Sequence, residues 1–224
     1  VKTMIFCKSE TNELFIDGVI GADWTGEGIT ASNVGSALAL LKGRPTVRIN
    51  SPGGSADEGI AIYNLLKRHP GGVDTHNESI AASAASVIFL AGDKRTMERG
   101  SKVMIHCAHC ISIGNSSDMK KMADVLAGYD ASLASIYADH MGVDTNEILA
   151  LMDAETWYDA ESAVESGLAT DMAPTLRKKR AAAAAWFRHP PQDLFEQDSE
   201  TTAKKEVITK ICNRKIAEMR SKMV

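Results

Sequence analysis

Ser83 stands in a run of small residues, Ile80-Ala81-Ala82-Ser83-Ala84-Ala85-Ser86, that opens an apolar stretch ending at Leu90-Ala91-Gly92. Small neighbours give a substrate backbone room to reach a hydroxyl, and free N–H groups at a helix start favour the negative charge that develops there. Runs of Ala and Ser also serve close helix packing, so the segment has a structural reading beside the nucleophilic one. Further along, Val103-Met104-Ile105-His106 places an imidazole at the end of a strand-like run. A serine hydroxyl is a poor nucleophile until a neighbouring imidazole takes its proton, so a positioned Ser83 and His106 would account for each other. Alone, a histidine there is structural. A third segment, Asn50-Ser51-Pro52-Gly53-Gly54-Ser55, follows another strand-like run. Its paired glycines let backbone N–H groups come close to an anion or an oxyanion where a side chain would obstruct. Pro-Gly-Gly is also an ordinary turn, and the Lys-Ser/Thr of a phosphate loop is missing here.

His106-Cys107-Ala108-His109-Cys110 invites a zinc reading, since Cys-x-x-Cys with two histidines has metal-ligand composition. On a strand, however, the side chains of 106 and 107 point to opposite faces, which makes convergence on one ion awkward. No metal and no cofactor is expected.

The elements that must position these residues alternate in type. A strand is expected over 14–20, a helix over 32–41 with apolar residues at 34, 37, 38 and 41, and a strand over 46–50. A helix over 56–68 then repeats the helical period and stops at His69-Pro70-Gly71-Gly72. Strand, helix, strand, helix implies right-handed crossovers around a mostly parallel sheet, an α/β architecture. A strand is expected over 100–106, a long helix over 117–140 and a last short helix over 159–167. The long helix suits either a subunit interface or an ordinary core-facing role.

The chain of 224 residues carries a formal charge of −4, unevenly spread. Residues 1–174 hold 13 Lys/Arg against 23 Asp/Glu, and residues 175–224 hold 12 against 6. The two parts are therefore expected to differ in role: a compact domain over 1–174 and a basic linker and tail over 175–224, with a helix over 206–219. Four irregularly spaced cysteines do not make a disulfide framework. Hydrophobic content of 44% without a run of about 20 apolar residues excludes a spanning helix. With no signal-peptide pattern at the first residues, a cytoplasmic protein is expected. The tail is read as a charged exposed segment in preference to a nucleic-acid-binding arm.

Together, Asn-Ser-Pro-Gly-Gly at 50–54, Ala-Ala-Ser at 81–83, Val-Met-Ile-His at 103–106 and the Ala-Glu-Ser-Ala-x-x-x-Gly-Leu pattern at 160–168 resemble the Clp protease proteolytic subunit family over residues 12–173. The resemblance implies a spiral of strand-helix units, shared with crotonase-like proteins, and a long interface helix. It implies a serine endopeptidase with Ser83 as nucleophile, His106 as general base, and the backbone N–H groups of Gly54 and Ala84 as oxyanion hole. Ser86, one helical turn along, is then a decoy. Where the family has the third, acidic member of its triad this sequence has Glu155, with Asp153 as the alternative; Asp159 falls where the family has a helix-capping Ser. The resemblance also implies a homo-oligomeric chamber of one or stacked rings, built through 117–140 and 107–116, with protein or peptide substrates.

Gly59-Ile60-Ala61-Ile62-Tyr63-Asn64 and Met152-Asp153-Ala154-Glu155-Thr156-Trp157 resemble the phage and prophage branch, whose members are taken to be head-maturation proteases acting on capsid or scaffold proteins. Docking to an unfoldase ATPase is not expected. Two other readings stand beside this one. A crotonase-like acyl-CoA enzyme would use the paired N–H groups but require neither Ser83 nor His106, and an inactive structural subunit would keep the fold without the chemistry.

Overall fold

The computed structural model describes residues 3–22 and 28–174. The linker and helix expected beyond Pro174 lie outside the described residues. In chain order the elements are β1 (Met4–Lys8), β2 (Glu13–Asp17), β3 (Gly21–Ala22), β4 (Gly28–Ile29), α1 (Ala31–Leu38), β5 (Thr46–Ser51), α2 (Ala56–Lys67), β6 (Asp74–Ala82), α3 (Ala84–Leu90) and β7 (Arg95–Met97). They continue with β8 (Lys102–Ile105), α4 (Ser116–Met141), α5 (Thr145–Asp153), β9 (Thr156–Tyr158), α6 (Ala160–Glu165) and β10 (Asp171–Met172).

An eight-stranded sheet runs in the order β1-β2-β5-β6-β7-β10, and β8 and β9 branch from β6. The β2/β5, β5/β6, β6/β7, β6/β8 and β7/β10 pairs are parallel, while β1/β2 and β8/β9 are antiparallel. The branch has a simple cause. β6 pairs through Thr75–Asn77 with β7 and through Ile80–Ala82 with β8, so one long strand serves two partners in succession. The expected α/β spiral of strand-helix units is the observed fold, with α4 as its long helix.

Alternation explains why the strands hold together. In β5, Val47, Ile49 and Ser51 are buried while the residues between them are half-exposed, and Leu14 and Ile16 of β2 face the same core. α3 is buried at all seven positions, so it is the central helix on this face of the sheet. Its sequence of Ala, Ser, Val, Ile, Phe and Leu leaves no polar stripe because it has no solvent side.

Some boundaries differ from expectation. The strand expected over 14–20 is β2, preceded by the unexpected β1, and it ends at Asp17, where Gly18 turns the chain at φ 118 and donates its N–H to Asn50 O. Residues 80–82, expected to open the α3 helix, are instead the end of β6; the turn into the helix occurs at Ser83. α4 extends to 26 residues, with Asn115 capping its start and Gly142 in the left-handed region at its end.

Candidate active site

Three parallel strands, β5, β6 and β8, end side by side, and each delivers one part of the site at its carboxyl end. That is where open α/β sheets present their loops to ligands. β5 runs into Ser51-Pro52-Gly53-Gly54 and then into α2, whose N-cap Ser55 accepts the Glu58 N–H. β6 runs into Ser83, and β8 into His106.

Ser83 is held in an unusual conformation, φ 54 and ψ −127, between β6 and α3. A non-glycine residue at positive φ costs about 1–3 kcal/mol and persists only where its surroundings fix it. Both of its backbone groups are tied: its N–H donates to Met104 O at 2.9 Å, and its carbonyl accepts the Ser86 N–H at 2.9 Å. The result lifts the hydroxyl off the end of the strand toward His106. Ser83 Oγ and His106 Nε2 are 2.8 Å apart. For the imidazole to accept the hydroxyl proton, Nε2 must be bare and Nδ1 must carry the ring proton.

The glycine pair fits closely against this turn. A Cβ at Gly53 would lie 2.7 Å from Ser83 Cβ and 3.1 Å from Ala84 N, and one at Gly54 would lie 2.0 Å from Ile20 O. Both glycines are at positive φ, 96 and 147. The N–H groups of Gly54 and Ala84 make no hydrogen bond to another described residue. Both residues line a cleft of about 500 Å³ together with Ser83 and His106, and its apolar side is formed by Met104, Leu133 and Tyr137.

The imidazole is held by the chain that follows it. Cys107 N–H donates to Met152 O at 3.2 Å, and Ala108 N–H donates to the Asp130 carboxylate of α4 at 2.6 Å. Burial pushes the His106 pKa below its usual value, and the nearby His109 lowers it further, against the opposing pull of Glu155 and then Asp130. The rings of His106 and His109 meet edge to face at 5.1 Å.

Among the described residues no carboxylate hydrogen-bonds His106 Nδ1. Glu155 sits at φ 48 in the turn before β9, and its carboxylate accepts the Trp157 indole N–H at 3.1 Å. Asp153 is exposed at the end of α5, and its charge acts on Cys107, whose thiol pKa is raised chiefly by burial. Asp159 caps α6 by accepting the Ser162 N–H at 2.9 Å. The structure therefore brings together Ser83, His106, Gly54 and Ala84, and leaves the two carboxylates beside the site.

Sequence reasoning passed over two contacts. His109 falls three residues after His106, and its ring lies against the general-base position; the repeated histidine was the available signal. Ser86, set aside as a decoy, is wholly buried and bonds both Ser83 and Tyr137. No described group of three or more His, Cys, Asp or Glu side chains converges as a metal site.

Comparison with known proteins agrees with the architecture. The Clp protease family model matches residues 30–175. The ATP-dependent Clp protease proteolytic subunit of Bacteroides fragilis is 35% identical over 125 residues, covering 55% of this chain and 60% of that protein. The ATP-dependent Clp protease proteolytic subunit 1 of Leifsonia xyli is 29% identical over 154 residues, covering 64% and 78%. The chain thus spans about three fifths of the length of the first of these relatives. A mutant ClpP1 structure from Listeria monocytogenes superposes with a TM-score of 0.63 at 20% identity, covering 75% of this chain and 94% of that one, which bears on the fold alone. With the family model matched over more than half of its length, this chain belongs to the Clp protease family.

Proposed function

We propose that the chain is a serine endopeptidase in which Ser83 attacks the scissile carbonyl and His106 serves as general base. The 2.8 Å contact between Ser83 Oγ and His106 Nε2, at the mouth of a cleft with two unengaged N–H groups, carries this reading. As Ser83 Oγ bonds the carbonyl carbon, its proton passes to His106 Nε2 and the carbonyl oxygen becomes an oxyanion. The Gly54 and Ala84 N–H groups are the donors for that charge. His106 then gives its proton to the leaving amine, and a water, activated by the same imidazole, releases the acyl group from Ser83. Glu155, which stands where the family pattern has its acid, is the proposed carboxylate that supports the imidazolium, with Asp153 as the alternative.

The acyl-CoA alternative uses neither Ser83 nor His106 and so offers no reason for their contact. The proposed working form is a homo-oligomeric ring or pair of rings that encloses the clefts, with a compact domain over 1–174 and a basic appendage over 175–224. No described helix is long and apolar enough to cross a membrane. The cytoplasm, or a phage particle assembling in it, is the proposed setting, and capsid or scaffold proteins are the proposed substrates. That last step rests on the motif resemblance to the phage branch; a gene neighbourhood without portal or capsid genes would count against it.

The chemistry is tested with a fluorophosphonate probe on the full chain. Wild type is expected to become labelled at Ser83 and to cleave a casein substrate, and Ser83→Ala to lose both, because the hydroxyl does the chemistry. Label or cleavage retained by Ser83→Ala above a few per cent would overturn the assignment.

A further inference from the structure

Beneath the proposed nucleophile lies a buried chain of hydroxyls that the mechanism above does not use. Ser86 Oγ is 2.6 Å from Ser83 O and 2.6 Å from Tyr137 OH. The carbonyl oxygen can only accept, so the single Ser86 hydroxyl proton goes to Ser83 O. Tyr137 must therefore donate to Ser86 Oγ, and the direction of the relay is fixed: Tyr137 to Ser86 to Ser83. Ser86 is 0% exposed and Tyr137 is 1% exposed, so water does not compete for these bonds. With the Ser86 N–H also on Ser83 O, that carbonyl accepts two hydrogen bonds from one residue.

The carbonyl of Ser83 and the N–H of Ala84 belong to one peptide unit. Every peptide among the described residues is trans, so in this rigid plane the N–H points opposite to the C=O. Fixing Ser83 O from below therefore fixes the direction in which Ala84 N–H is aimed, and polarising that carbonyl makes the N–H a stronger donor. The clamp acts where it is needed, because Ser83 holds the uncommon pair φ 54 and ψ −127, and ψ is the rotation that orients this same plane.

We propose that Ser86 and Tyr137 are positioning residues that lock the Ser83–Ala84 peptide plane, so that Ala84 N–H is pre-aimed at the oxyanion. This rests on Ser83 being the nucleophile. The hydroxyls of Ser86 and Tyr137 thus act together in transition-state stabilisation, while the Tyr137 ring keeps its place in the cleft wall. Removing the Ser86 hydroxyl affects the rate of reaction at Ser83 and leaves affinity alone.

The experiment is the time course of fluorophosphonate labelling of the full chain, resolved into the maximal rate and the half-saturating concentration, alongside the melting temperature. Ser86→Ala is expected to lower the maximal rate about tenfold, less than the 10²–10³-fold loss of a whole oxyanion donor, with half-saturation within twofold. It also strands the Tyr137 hydroxyl in the core, so melting should fall. The double variant Ser86→Ala/Tyr137→Phe removes the stranded group: melting should recover while the rate stays low. Ser86→Thr, which keeps a hydroxyl, should recover both. A wild-type rate in Ser86→Ala, or a rate that recovers together with melting in the double variant, would show packing alone and overturn the proposal. If Ser86→Ala does not fold, the double variant decides by itself, since it leaves no stranded hydroxyl. Wild type without label, or Ser83→Ala with it, would instead overturn the nucleophile assignment, and the proposal would fall with it.

Discussion

His106 has to be neutral to accept a proton and must then hold the charge it gains, and the groups around it divide that task. Burial and His109 favour the neutral ring, while Glu155 and Asp130 favour the imidazolium. With the pKa lowered, the acid limb of the labelling rate should lie below the usual histidine value of about 6.5. His109→Ala removes a lowering influence, so the limb should move to higher pH; Glu155→Gln removes a raising one, so it should move lower. A pH profile between about 4 and 8 on the three chains reads both signs, and movement in the same direction would contradict the arrangement. The carboxylates separate in rate as well. Glu155→Gln should slow turnover by about 10²–10⁴-fold if it orients the imidazole during reaction, whereas Asp153→Asn should change it less than about twofold. Rates on a peptide substrate check this, and equal effects would put Glu155 in a structural role at the β9 turn. The sequence points to Ser83 and His106 because each stands in a short, distinctive segment at a strand end. It could not reveal how the carboxylates sit, because that depends on the φ 48 turn at Glu155 and on the Trp157 indole that engages it.

At the scale of elements, the site depends on how closely α2 approaches α3. Gly59 lies on the buried face of α2, and a Cβ there would come within 2.9 Å of Ala84 Cβ and 3.1 Å of Ala84 O. On an exposed helix face Gly→Ala stabilises by about 1 kcal/mol. Here the added methyl would press on backbone at the start of α3, so Gly59→Ala should destabilise by about 1–3 kcal/mol. The displacement falls on Ala84, whose N–H is an oxyanion donor in the proposed mechanism, so labelling of Ser83 should slow too. Urea unfolding followed with the labelling rate checks both, and a stabilised, fully reactive variant would show that the helices can part without harm. The same packing explains which elements could be read from the sequence. α2 and α4 show a helical period because one side of each meets solvent, and the His69-Pro70-Gly71-Gly72 stop after α2 is a strong local signal. The end of β6 at Ile80-Ala81-Ala82 carries no period, since Ala81 and Ala82 are buried in succession and run straight into the wholly buried α3 helix. Only the reversal at Ser83 separates the two.

At the scale of the molecule, two surfaces are left without a partner among the described residues. Only Leu133, Ala134 and Tyr137 of α4 are buried, all in its second half, so a helix about 39 Å long projects most of its first half from the body. That projecting part carries Met119 and Val125 on its exposed surface. Just before it, Ile111 and Ile113 are 98% and 96% exposed. No strand forms between β8 and α4, and an irregular segment showing two isoleucines to water is a liability unless another chain covers it. Assembly through these surfaces would cover both and confine the proposed Ser83 and His106 chemistry to chains that can enter. Sedimentation velocity of the full chain at micromolar concentration should therefore show an oligomer. Ile111→Asp with Ile113→Asp should shift it toward smaller species, because a carboxylate at each contact must be desolvated without a partner. A chain ending at residue 174 should assemble as the full chain does if the basic appendage is dispensable. A monomer in the full chain would refute the chamber, and an oligomer indifferent to the two aspartates would move the interface away from residues 107–115.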